Sequence, residues 1–151
     1  MIGYFDTSAV VPLVVNEPAS GRCAALWQAC DVRISCLLVV AEAHAALAQA
    51  LRLGRLDQER HSAAVELLGL RLGELDLLTP TRELVDTAAG LALSQALRGH
   101  DAIHAAAALA LAGPDLVVVA CGQDLRRACA ALGLATADPS HADVGEAAAP
   151  G

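Results

Sequence analysis

The sequence predicts an α/β fold, with a short central parallel sheet covered by helices on both faces. Three observations predict it. Short Val-, Leu- and Ile-rich runs alternate with longer helical stretches, the pattern of parallel strands joined by crossover helices. The composition is 56% hydrophobic but only 2% aromatic, so the core must be built from Ala, Leu and Val, which suits tightly packed helices. The 151 residues fit one compact domain that can bury a real core, without internal repeats or linkers.

Taken in order, residues 2–5 read as a first buried strand. A short helix follows over 7–15, stopped by Asn16-Glu17-Pro18. Ser20 is placed to cap a second helix running to about residue 30. Residues 32–36 form strand two, and 37–53 an Ala/Leu-rich helix closed by Gly54. Asp57 caps the next helix, to about 70, and 75–78 give a short third strand. Thr79-Pro80-Thr81 starts a helix to about 97, with Glu83 in the first turn where it suits the helix dipole. Asp101 opens another helix, to 111, and Gly113-Pro114-Asp115 makes a turn. Residues 116–120 are the clearest strand, 123–132 are helical, and 134–136 form a last short strand. Domain boundaries follow: 1–137 is the folded domain, and 138–151, rich in Ala, Pro, Gly and Asp, is expected to be a flexible tail.

The N-terminus meets Asp6 with no basic region before it, unlike a signal peptide. No apolar run approaches the roughly 18 residues of a membrane span. A soluble, cytoplasmic protein is expected. Five cysteines, an odd number without a C-x-x-C pair, speak against a disulfide scaffold or zinc ribbon and for buried thiols in a reducing compartment. All ten basic residues are arginine, which excludes Schiff-base and P-loop chemistry, both of which need lysine. The net charge of −7 argues against non-specific nucleic-acid binding, unless several acids gather around a cation that cancels their charge.

Ligands of open parallel sheets bind outside the carboxyl ends of the strands, so the acids placed there carry the functional information. Asp6 follows strand one, with Thr7 and Ser8. The helix after strand two carries Glu42. Asp101 begins the helix leading into strand four, and Asp124 follows that strand. Asp6, Asp101 and Asp124 each also fit as helix caps. Glu42 has apolar neighbours on both sides and is harder to explain as a solvated residue, because buried acids are seldom left unpaired. As a set, the acids offer hard oxygen ligands suited to Mg2+ or Mn2+ rather than zinc. Phosphodiester cleavage needs such a site.

These residues also carry a family resemblance. Phe5 to Val11, Ala41-Glu42, the block Leu97-Arg98-Gly99-His100-Asp101-Ala102-Ile103-His104 and the stretch from Asp124 to Leu134 resemble the PIN-domain ribonucleases, and more narrowly the VapC toxins of type II toxin–antitoxin pairs. The resemblance spans residues 2–139. It implies a three-layer α/β/α sandwich and a Mg2+- or Mn2+-dependent endoribonuclease acting through activated water on structured RNA, tRNA or rRNA. It also implies a homodimer and a cognate antitoxin protein as partner. The family's acidic site maps onto Asp6, Glu42, Asp101 and Asp124, as catalytic residues and metal ligands. Ser8 matches the hydroxyl that supports the first Asp. One position departs. The family often has Thr or Ser two residues before the last Asp, and here Gly122 stands there.

Arg98, Arg126 and Arg127 lie near the expected site and are candidates to hold phosphate, with a solvated rim as the alternative. His104, on an Ala-rich helix, is read as a packed, hydrogen-bonded histidine rather than a catalyst. The apolar helices of residues 20–70 could supply a dimer face or antitoxin groove, or simply close the core. A receiver domain would need an Asp pair and a lysine, and a dehalogenase-type phosphatase a second Asp where Ser8 stands. A non-catalytic PIN-fold module that binds RNA or protein is the remaining alternative.

Overall fold

Alternation along two buried strands organises the molecule. In β1 (Ile2–Phe5) and β4 (Leu116–Val119), successive side chains point to opposite faces of the sheet. Tyr4 and Val118 therefore enter one hydrophobic cluster, and Phe5 and Val119 the other. The computed structural model describes residues 1–141. It contains a five-stranded sheet, all parallel, in the order β3-β2-β1-β4-β5, where β2 is Val32–Cys36, β3 Asp76–Leu78 and β5 Ala135–Ala137.

One face is covered by α5 (Arg82–Ser94), α6 (Gly99–Ala110) and α7 (Gln123–Ala131). The other is covered by α1 (Thr7–Val10), α2 (Ser20–Ala29), α3 (Leu38–Arg52) and α4 (Gln58–Gly73). The result is the expected three-layer α/β/α sandwich. The helix expected over 7–15 is shorter, because α1 passes at once into a 3-10 turn containing Pro12. Ser20 does not cap α2. Its hydroxyl is occupied by the Glu17 N–H and the Val15 carbonyl, and Ala19 holds the cap position. Asp57 and Thr81 do cap α4 and α5, accepting from Arg60 and Leu84. The α5 helix stops at Ser94, because Ala96 takes a left-handed φ of 54°.

Most of the apolar excess in residues 20–70 closes the second core. Cys23, Trp27, Val39, Ala43, Leu47, Ala64 and Leu68 are all buried there, while Leu53 and Leu70 remain exposed. Phe5 and Trp27 pack with ring centroids 4.8 Å apart, and the Trp27 indole donates to Glu74. All five cysteines are free. Among the described residues no helix is long and apolar enough to cross a membrane.

Packing does not end at residue 137. Pro139 is buried, the Arg22 guanidinium donates to the Pro139 and Ser140 carbonyls, and Asp138 pairs with Arg126 at 2.6 Å. Residues 138–140, expected within a tail, are thus packed on the domain, and 142–151 lie outside the described residues.

Candidate metal centre

The chain reverses its direction of travel across the sheet between β1 and β4, leaving a crevice outside their carboxyl ends, where ligands of such sheets bind. A cleft of about 810 Å³ opens there. Asp6, Glu42, Asp101 and Asp124 all line it, with Thr7, Ser8, Arg98 and His100. Strand β1 delivers Asp6, α3 Glu42, α6 Asp101 and α7 Asp124.

Asp6 serves two purposes. Its Oδ2 caps α1, accepting from the Ser8 backbone N–H at 3.0 Å and the Ser8 hydroxyl at 2.6 Å. Ser8 Oγ in turn accepts from the Cys121 N–H at 2.9 Å, which ties the end of β1 to the loop after β4. The capping alternative is therefore true of Asp6, and it leaves Oδ1 without a hydrogen bond among the described residues. Capping fails for the other two. Asp101 and Asp124 sit inside the first turns of their helices, whose cap positions belong to Arg98 and Gly122.

Glu42 is half-buried but paired. Its Oε2 accepts from Thr7 Oγ1 at 2.7 Å and from His104 Nε2 at 2.8 Å. His104 is fully buried. Its Nδ1 meets the Tyr4 hydroxyl at 2.9 Å, and its Nε2 lies 3.6 Å from Asp6 Oδ1. Burial alone would raise the Glu42 carboxyl, but the hydrogen bonds from His104 and Thr7 and the His104 charge hold it below the usual range. Burial pushes His104 down, and the bond to Glu42 with the nearby Asp6, Glu42 and Asp101 charges carries it above the ordinary histidine value. Asp101 is raised by burial and by Asp6, against the opposing pull of His100. Crowded carboxylates behave in this way without a cation between them.

The side chains of Asp6, Asp101 and Glu42 are 10%, 21% and 23% exposed, against 76% for Asp124. Three acids thus form the floor and Asp124 the rim. Among the described residues no three His, Cys, Asp or Glu side chains stand close enough to hold an ion unaided. The donor chemistry nonetheless fits a hard divalent cation. The set is all oxygen, and Asp6 Oδ1 and Glu42 Oε1 carry no hydrogen bond among the described residues.

The arginines divide. Arg98 is exposed on the cleft. Arg126 is not available for phosphate, because its guanidinium is bound by Asp138 and by the Ala120 and Cys121 carbonyls. Arg127 bonds the Gln95 carbonyl and lies 3.8 Å from Asp124 on the rim, without itself lining the cleft. At Gly122 a Cβ would meet nothing within 4 Å, so the missing hydroxyl is not excluded by space. Tyr4, Thr7 and the bridging role of His104 escaped sequence reasoning. Two spacings signal Tyr4 and His104. Tyr4 precedes Asp6 by two along a strand, and His104 follows Asp101 by three along a helix, so each shares a face with an acid.

The PIN domain family model matches residues 3–131. Ribonuclease VapC49 of Mycobacterium tuberculosis is 38% identical over 146 residues, covering 93% of this chain and 96% of that protein. Ribonuclease VapC46 of the same organism is 37% identical over 139 residues, covering 91% and 97%. Among solved structures, VapBC2 from Rickettsia felis bound to a DNA fragment from their promoter aligns with TM-score 0.62 at 14% identity, over 91% of this chain and 98% of that one. That likeness concerns the fold. The family match and the two close relatives establish that the chain belongs to the PIN-domain family, among its VapC ribonucleases.

Proposed function

We propose that the protein is a Mg2+- or Mn2+-dependent endoribonuclease that cuts structured RNA, tRNA or rRNA, and acts as the toxin of a toxin–antitoxin pair. The observation that carries this reading is that four carboxylates from four separate elements line one cleft at the crossover point of the sheet. Asp6, Glu42 and Asp101 would hold the metal, and Asp124 completes the rim. A bound ion supplies polarisation of the phosphoryl oxygen and an acidified water. The chain's own residues orient the reaction. Ser8 fixes Asp6 by its hydroxyl, Thr7 and His104 fix Glu42, and Arg98 receives a backbone phosphate at the rim.

Few aromatic side chains are available for base stacking, and Tyr4, Phe5 and Trp27 are all buried, so recognition rests on RNA shape. The antitoxin is proposed from the VapBC2 likeness and the VapC relatives. A homodimer is proposed with it, and light scattering over a concentration series tests this; a monomer throughout counts against it.

That no three acids stand close enough to hold an ion among the described residues favours one second reading, a non-catalytic PIN-fold module that binds RNA or protein. Cleavage of folded tRNA and rRNA with and without Mg2+, compared with Asp6→Asn, separates the two. Metal-dependent cleavage that falls by two orders of magnitude or more in a folded Asp6→Asn supports the nuclease. Undiminished EDTA-sensitive cleavage in that variant removes Asp6 from the site, and no cleavage by the parent chain favours the binding module.

A further inference from the structure

The Ala-rich helix α6 buries one polar side chain, His104, among Ala102, Ala105, Ala106, Ala107 and Ala108. Leu would pack there at no desolvation penalty, whereas an imidazole must have both nitrogens satisfied. They are satisfied by Tyr4, fully buried on the central strand, and by Glu42 on the cleft. The chain from core to site is therefore Tyr4 Oη, His104 Nδ1, His104 Nε2, Glu42 Oε2, with steps of 2.9 and 2.8 Å across the two residue pairs.

We propose that Tyr4 and His104 are positioning residues for the nuclease site, forming a buried pair that holds an N–H donor on Glu42 Oε2 and so presents the free Glu42 Oε1 to the metal. This rests on the nuclease reading above. The phenol is suited to the task because it serves Nδ1 in either protonation state of the ring. It donates to a bare nitrogen and accepts from an N–H. In both cases Nε2 keeps its hydrogen, and that hydrogen faces Glu42. Thr7 donates to the same Glu42 oxygen, so both donors grip Oε2 and leave Oε1 unbonded. Glu42 reaches the cleft from α3 on a flexible side chain, and this two-point grip removes its freedom to rotate. Partners of this kind, which touch the ligand rather than the ion, typically change metal affinity by about 10–100-fold when removed.

The test is Mn2+ binding by calorimetry on the RNA-free protein, together with kcat and KM for RNA cleavage. Tyr4→Phe keeps the buried ring and deletes the hydroxyl. It is expected to weaken Mn2+ binding about ten-fold and to lower kcat at limiting metal, with KM for RNA unchanged. His104→Gln, whose amide can accept from Tyr4 and donate to Glu42, is expected to keep Mn2+ affinity within about three-fold. His104→Asn, one methylene shorter, is expected to lose about ten-fold, which keeps the test open if Tyr4→Phe does not fold. Parental Mn2+ affinity and kcat in folded Tyr4→Phe and His104→Asn, with only thermal stability reduced, would show the pair to be structural and overturn the proposal alone. A parent chain that neither binds Mn2+ nor cleaves RNA overturns the nuclease reading and the proposal with it.

Discussion

At the scale of single residues, the site is a balance of charge in a half-buried place, and pH should expose it. Glu42 lies below its ordinary range in the folded state, so its contribution to stability is complete above about pH 4.3 and is lost as pH falls through the lowered value. His104 lies above its ordinary range, so its contribution is complete below about pH 6.5 and is lost as pH rises through the folded value. In urea unfolding of the metal-free protein the Glu42 and His104 contributions should therefore both be complete between these limits, with an alkaline decline above them that His104→Gln should largely remove. Asp101 works against Glu42 and in the same direction as His104. Its carboxyl is raised by burial and by Asp6, so the folded state loses stability as pH climbs past about 3.9. Asp101→Asn is expected to raise the unfolding midpoint of the metal-free protein at neutral pH while reducing cleavage at least about 100-fold. A variant that loses both stability and activity would contradict this account of its charge.

At the scale of elements, α7 is the least finished. Its cap residue Gly122 has an extended backbone, φ −67° and ψ 118°, and offers no side-chain bond to the first turn. A Cβ there meets open space. Gly122→Ser is expected to stabilise the fold by a few tenths of a kcal/mol, about the difference between Gly and Ser as caps, measured by urea unfolding. It also sets a hydroxyl at the lip of the cleft, two residues before Asp124, and cleavage should stay the same or rise. Elements with local signals were legible in the sequence. Strands β1, β2 and β4 follow from runs of apolar and β-branched residues, and Asp57 and Thr81 from cap chemistry. What was not legible depends on partners distant in the chain. The Glu42–His104 pair is separated by 62 positions, and that pairing, rather than a metal alone, makes the burial of Glu42 tolerable. Arg126 looked free because Asp138, its partner at 2.6 Å, was assigned to a tail. Ser20 had the right residue type for a cap but its hydroxyl is taken by Glu17 and Val15. In each case, tertiary competition decided a choice that local preference left open.

At the scale of the whole molecule, a chain of net charge −7 has to hold a polyanion with few cations. Of the three arginines nearest the site in sequence, Arg98 alone lines the cleft. Salt should therefore weaken RNA binding only modestly, and Arg98→Ala should raise KM while reducing the slope of log affinity against log salt by about one. An unchanged slope would place the phosphate contacts elsewhere. The packing of the second core has a further use. The chain has one tryptophan, and it packs at a tilt of 59° against Phe5, the residue immediately before Asp6. Its emission, excited selectively over that of Tyr4, comes from a single site and is coupled through one side chain to the strand end that bears the first carboxylate. Fluorescence of the unlabelled protein can then follow occupancy of the cleft in real time, by stopped flow and without dyes or tags.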